Sequence, residues 1–150
     1  MHEISRLATF HVGSELYGVP VERVQEVIRY QEMTRVPLAP PAVRGLLNLR
    51  GQILIAIDLR QRLGLGDDSR GIPSANVVLR TADGLVSLLV DEIGGVVEVD
   101  EGAFEAPPPT LRGSRRTLIK GAYKLKDKLL LVLDGDAASE WKVPERVEEA

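Results

Sequence analysis

The stretch VRGLLNLRGQILIAIDLR, Val43 to Arg60, decides the fold. It reads as two extended segments, Leu46 to Leu49 and Gln52 to Ile57, that meet at Arg50-Gly51, where glycine takes the backbone angles a tight turn demands. The spacing predicts a β-hairpin. In its second arm Ile53, Ile55 and Ile57 share one face while Leu54 and Ala56 make the other nearly as apolar, which predicts a central strand with protein on both sides. Asp58 then stands as a helix N-cap, its carboxylate placed to accept from the first free amides of a short helix through Leu63, and Gly64 supplies the stop.

Working outward, Leu7 to Gly13 and Leu16 to Val19 read as strands joined at Ser14-Glu15. Pro20 fixes a backbone angle suited to a first helical position, and Val21, Val24 and Ile28 recur at helical spacing, so VERVQEVI is predicted as about two turns of helix. Val36 to Pro41 is an extended connection, because each proline removes a backbone donor and pushes its predecessor out of the α region. Gly66 to Ser74 has loop composition throughout. Asn76 to Thr81 and Leu85 to Asp91 form a hairpin about Ala82-Asp83-Gly84, followed by a short strand from Val96 to Val99. Pro107-Pro108-Pro109 is a stiff extended crossing. Leu118 to Leu125 and Leu129 to Leu133 form the last hairpin about Lys126-Asp127-Lys128. Asp136 is expected to cap a final helix through Trp141, with Pro144 to Ala150 a frayed tail.

Many short strands with glycine turns and few helices predict an all-β protein, a sandwich or small barrels, and composition does not choose between them. At 150 residues, 44% hydrophobic and 27% charged, the chain is expected to be one domain with a real core. No apolar run approaches the ~18 residues of a spanning helix, and Met1 to Arg6 lacks the apolar core of a signal peptide. Cytoplasmic residence without membrane insertion is therefore the expectation. With no cysteine, disulfides, thiolate nucleophiles and thiolate metal sites are absent. The net charge of −3 hides an acidic block, Asp91 to Glu105, and a basic block, Arg112 to Lys128, which can offset each other or face a partner. The few aromatics are poor supply for stacking nucleic-acid bases.

Catalytic candidates are sparse. His2 lies in a terminal segment and His11 stands alone in a strand pattern. Asp134-Gly135-Asp136 opens like a calcium loop but lacks the remaining ligands, and Asp67-Asp68 in a glycine loop lacks the fixed separation that acid/base chemistry needs. No catalytic residue, cofactor or metal is assigned, and an enzyme is not expected. Two residues invite a binding reading. Gly45 at a strand entrance marks either a bulge or a close approach of another backbone or partner. Arg50 on a rigid hairpin is either a solvated turn residue or a platform for a charged contact.

The string GLLNLRGQILIAIDLR resembles the central motif of the CheW family of adaptors, which couple bacterial chemoreceptors to a histidine kinase. The resemblance extends to LATFHVGSELYGVPVERVQEVI, LVSLLVDEIGGVVEV and IKGAYKLKDKLLLVLD, in the family's order, over roughly Leu7 to Asp134. One departure is that Leu54-Ile55-Ala56 stands where many relatives have Pro-Val. The resemblance implies two five-stranded SH3-like barrels packed on a shared apolar interface, the first up to residue 65, the second from 75 to 134 with strands crossing between them, and 135–150 as a C-terminal helix and tail. It implies a scaffold without catalysis, sited at receptor arrays on the inner membrane. Its partners would be the cytoplasmic tip of a chemoreceptor and the regulatory domain of a CheA-type kinase, with no nucleic acid. The positions that match the family's receptor-contact motifs are Val24, Glu26, Gly45 and Arg50. A charged side chain at Gly45 would, on this reading, block the receptor groove and leave the fold largely intact.

Overall fold

The computed structural model describes residues 3–65 and 75–140. Among the described residues, ten strands and three one-turn helices follow one another as β1 (Ile4–Val12), β2 (Glu15–Pro20), β3 (Val24–Arg29), β4 (Val43–Leu49), β5 (Gln52–Asp58), α1 (Leu59–Arg62), β6 (Ala75–Thr81), β7 (Gly84–Val90), β8 (Glu92–Asp100), α2 (Ser114–Leu118), β9 (Ile119–Lys124), β10 (Leu129–Leu133) and α3 (Gly135–Ala138). They form two five-stranded sheets, ordered β8-β1-β2-β10-β9 and β3-β6-β7-β5-β4. Each curls toward closure through one isolated bridge, Glu105 to Ala122 in the first and Thr34 to Leu46 in the second.

Sheet membership departs from the division expected near residue 65. The middle of the chain, β3 to β7, builds one barrel, and the two ends combine to build the other. The outer barrel is joined by a parallel pairing of β2 with β10, the middle barrel by a parallel pairing of β5 with β7. Strand alternation then sorts the side chains into three clusters. Leu7, Leu16, Tyr123, Leu130 and Val132 fill the outer barrel, and Leu49, Leu54 and Val78 fill the middle one. Between the barrels lies the largest cluster, to which both contribute, with Phe10, Tyr17, Leu131 and Leu133 meeting Ile57, Leu79 and Leu88. Ile57 on one face of β5 and Leu54 and Ala56 on the other are all buried, as two-sided packing requires, whereas Ile53 beside the turn is 57% exposed.

The two-turn helix expected over 21–28 is instead a single 3-10 turn, Val21–Arg23, followed by β3. The register of β3 against β6 shifts between Val24 and Glu26. This bulge adds one residue, so Val24 and Ile28, whose spacing of four suggested one helical face, lie on opposite faces of β3, Val24 toward the cluster between the barrels and Ile28 toward the core of the middle barrel. Pairing with β6 decides the outcome, in keeping with three β-branched residues among six. At the C-terminal end the cap is Asp134, which accepts from Ala137 N at 3.1 Å, and Asp136 lies inside the helix. The expectations for His2, Gly66 to Ser74 and the segment from Trp141 onward lie outside the described residues.

The two barrels repeat one another. Residues 44–58, RGLLNLRGQILIAID, align without a gap on 120–134, KGAYKLKDKLLLVLD, with Gly, Leu, Leu and Asp recurring at 45/121, 49/125, 54/130 and 58/134. Both segments are a hairpin running into a capped helical turn, since Asp58 accepts from Arg60 N at 3.0 Å as Asp134 does from Ala137 N. Even the bulges correspond, because β8 gains a residue opposite β1 where β3 does opposite β6.

Candidate functional site

The β4–β5 turn is built by Arg50 and Gly51, whose φ angles are 52° and 89°. Positive φ at both central residues gives the turn the twist of the flanking strands. Asn48 Oδ1 fixes it by accepting from Gly51 N at 2.8 Å. Holding an arginine in the left-handed region costs energy that asparagine or glycine would avoid. From this turn the Arg50 guanidinium reaches across the end of the barrel to the carboxylate of Glu26 on β3 and pairs with it. Two of the four residues singled out in the sequence thus meet, although 24 positions separate them. Arg50 remains largely exposed while Glu26 is half-buried, so the pair presents a fixed, solvent-facing charge pattern.

Val24 lies close by at the start of the same strand, half-buried against the apolar cluster between the barrels. Gly45 is different. It is buried beneath the chain's own segment Met33–Thr34, and a Cβ placed there would stand 2.7 Å from Thr34 O and 2.9 Å from Met33 Cβ. Thr34 N donates to Leu46 O at 2.9 Å and Leu46 N to Thr34 O at 2.8 Å. The close backbone approach that Gly45 signals is therefore intramolecular, and a charge at this position would disturb barrel closure itself. This corrects the expectation of an intact fold. Beside Gly45, Arg44 Nη1 donates to Asp58 Oδ2 at 2.9 Å, so the buried cap carboxylate also anchors β4.

Two apolar residues that sequence reasoning did not select belong to this surface. Ile53, just past the turn, and Val27 on β3, 43% exposed, continue the face whose neighbours Ile57, Val77 and Leu79 are buried between the barrels. They are the edges of that face which the outer barrel does not cover. Alternation places them on the core side but says nothing of where the covering barrel ends.

Elsewhere, His11 Nδ1 is 3.9 Å from Glu92 Oε1. Among the described residues no group of His, Asp and Glu is arranged to hold a metal ion, and no helix is long and apolar enough to cross a membrane. The basic block is partly offset, with Lys124 Nζ 3.7 Å from Glu105 and Arg115 3.3 Å from Glu15. Burial pushes the Tyr17 hydroxyl above its ordinary range against the opposing pull of Arg115. Hydrogen bonds from Arg23 and from the Ala82 amide hold the Asp136 carboxyl below the ordinary 3.8.

Comparison with known proteins adds family membership to this geometry. The CheW-like domain family matches residues 6–142. The chain is 32% identical over 136 residues to the chemotaxis protein CheW of Treponema pallidum, covering 86% of this chain and 78% of that one. It is 30% identical over 132 residues to CheW of Bacillus subtilis, covering 88% and 85%. A more distant relative is the protein PilI of Pseudomonas aeruginosa, 26% identical over 114 residues, covering 76% of this chain and 64% of PilI. The crystal structure of the scaffolding protein TtCheW from Thermoanaerobacter tengcongensis superposes with a TM-score of 0.81 at 28% identity, over 92% of this chain and 89% of that one. The fold is accordingly the pair of SH3-like barrels that the resemblance implied, and the chain belongs to the CheW-like family of scaffold proteins.

Proposed function

We propose that this chain is a non-catalytic coupling protein that links the cytoplasmic tip of a chemoreceptor to the regulatory domain of a CheA-type histidine kinase in the cytoplasm, at receptor arrays on the inner membrane. The observation that carries the reading is the Arg50–Glu26 pair. It fixes a strained, exposed arginine and a half-buried glutamate at one barrel end, flanked by Val24, Val27 and Ile53. Such a surface suits an amphipathic helical hairpin, whose apolar side can rest on the uncovered residues while its polar groups address the ion pair. Gly45, at the other end of β4, lets Met33–Thr34 close the barrel over that strand. No reaction on this chain is needed. Receptor state reaches the kinase as a difference in affinity between arrangements.

Recovery of a chemoreceptor and a large histidine kinase by tagged protein from native lysate, with the receptor selectively lost for Arg50→Ala, is the expected result. Retention of nucleic acid at ordinary salt, or of neither partner, would overturn the reading. A second reading is an adaptor serving a chemosensory pathway with an output other than flagellar swimming, such as gliding, pili or development. The identity of the co-purified receptor distinguishes the two.

A further inference from the structure

The start of β3 is held by two clamps from outside the strand. Arg80 Nη1, on β6, donates to Glu22 O at 2.7 Å and to Val24 O at 3.3 Å. Arg23 Nη2 lies 2.7 Å from Asp136 Oδ1, and the same oxygen accepts from Ala82 N at 3.1 Å. The first clamp is internal to the middle barrel. The second is not, since Asp136 sits on α3, which follows directly from β10 of the outer barrel through the Asp134 cap. One carboxylate therefore ties the last described helix to the 3-10 turn that opens β3 and to the β6–β7 turn beside it.

An exposed ion pair by itself holds little. Here the carboxylate also takes a backbone amide, and the strand it secures begins at a bulge, where an extra residue is left out of the hydrogen-bond ladder. Val24 to Glu26 thus depend on side-chain anchors more than the rest of β3 does. We infer that Asp136 is a positioning residue for Val24 to Glu26, linking the placement of the outer barrel's C-terminal helix to the Glu26–Arg50 end of the middle barrel. As a statement about receptor affinity it rests on the function proposed above; as a statement about the strand it does not.

Full-length wild type, Asp136→Ala and Asp136→Asn are compared by amide hydrogen exchange and by affinity for two probes, a helical-hairpin receptor-tip fragment and a kinase regulatory domain. Asp136→Ala raises exchange about tenfold at Val24 to Val27 while leaving β2 and β10 within about twofold, and weakens the receptor fragment about fivefold with the kinase domain unchanged. Asp136→Asn, which keeps an oxygen acceptor for Ala82 N, gives a smaller change of the same kind. Exchange that does not move, or rises alike in every strand, overturns the inference. So does unchanged receptor affinity in a variant whose β3 exchange has risen. If β3 exchange responds as expected but the wild type itself ignores the receptor fragment, the positioning role stands and the proposed function falls.

Discussion

The two barrels share a construction and differ in what they do with one corner of it. In each, a glycine at the start of the hairpin lets a preceding segment lie across it, Met33–Thr34 over Gly45 and Phe104–Glu105 over Gly121. In each, an aspartate at or directly after the end of the hairpin's second strand caps a helical turn. At the hairpin tip they part. The middle barrel has Arg50-Gly51 with both φ angles positive and a glutamate on the facing strand. The outer barrel has Lys126-Asp127 with neither residue in the left-handed region, and the position matching Glu26 in the bulged edge strand is Gly95. What the barrels keep in common is therefore structural machinery, and the ion pair that only one of them carries is where binding is to be sought.

The shared features carry the largest expected effects. A methyl at Gly121 would stand 2.5 Å from Glu105 O as well as against the Phe104 ring, and Gly121→Ala should cost about 3 kcal/mol, roughly 10 °C in Tm. Gly45→Ala, at 2.7 Å from Thr34 O, should cost about 2 kcal/mol. Thermal unfolding that shows either variant as stable as wild type breaks the equivalence. The caps come next. Asp58→Ala loses the cap and leaves Arg44 without its buried partner, about 2 kcal/mol, whereas Asp134→Ala loses a cap alone, about 1 kcal/mol. Equal losses would mean that the Arg44 contact adds nothing.

The clamp at Asp136 gives a smaller, pH-dependent effect. A carboxyl depressed below 3.8 contributes stability at neutral pH and loses it as pH falls through its folded-state value. Wild type should exceed Asp136→Asn by about 0.5 kcal/mol near neutrality, with the gap closing in acid. A gap that widens on acidification contradicts the assigned partners.

The hairpin and the Asp58 cap were legible in the sequence because their determinants are local: a glycine turn, alternating isoleucines and an oxygen acceptor before a helical turn. The edge strand β3 was not, because Val21, Val24 and Ile28 stand at helical spacing although a bulge turns Val24 and Ile28 to opposite faces, and a register against β6 leaves no mark within VERVQEVI. The nesting of the barrels was hidden for a related reason. Parallel pairs such as β2 with β10 join segments more than a hundred residues apart, and no local pattern names the partner. Within the site, Arg50 and Glu26 were each identifiable by resemblance, but their meeting was not. Gly45 was read as a close approach of another backbone or of a partner, and the backbone that arrives is the chain's own Met33–Thr34, since glycine reports proximity without saying whose backbone it is.

The most direct test places one substitution at each hairpin tip. Arg50→Asn suits the left-handed turn and removes the ion pair, so the gain at the turn and the loss of an exposed pair should leave Tm within about 1 °C of wild type. Isothermal titration of this variant with a receptor-tip helical hairpin should show about a tenfold loss of affinity, with the kinase regulatory domain bound as before. Lys126→Asn, at the matching tip of the outer barrel, should leave receptor affinity unchanged. Undiminished receptor binding by Arg50→Asn, or an equal loss from Lys126→Asn, would contradict the assignment of receptor recognition to the barrel that carries the pair.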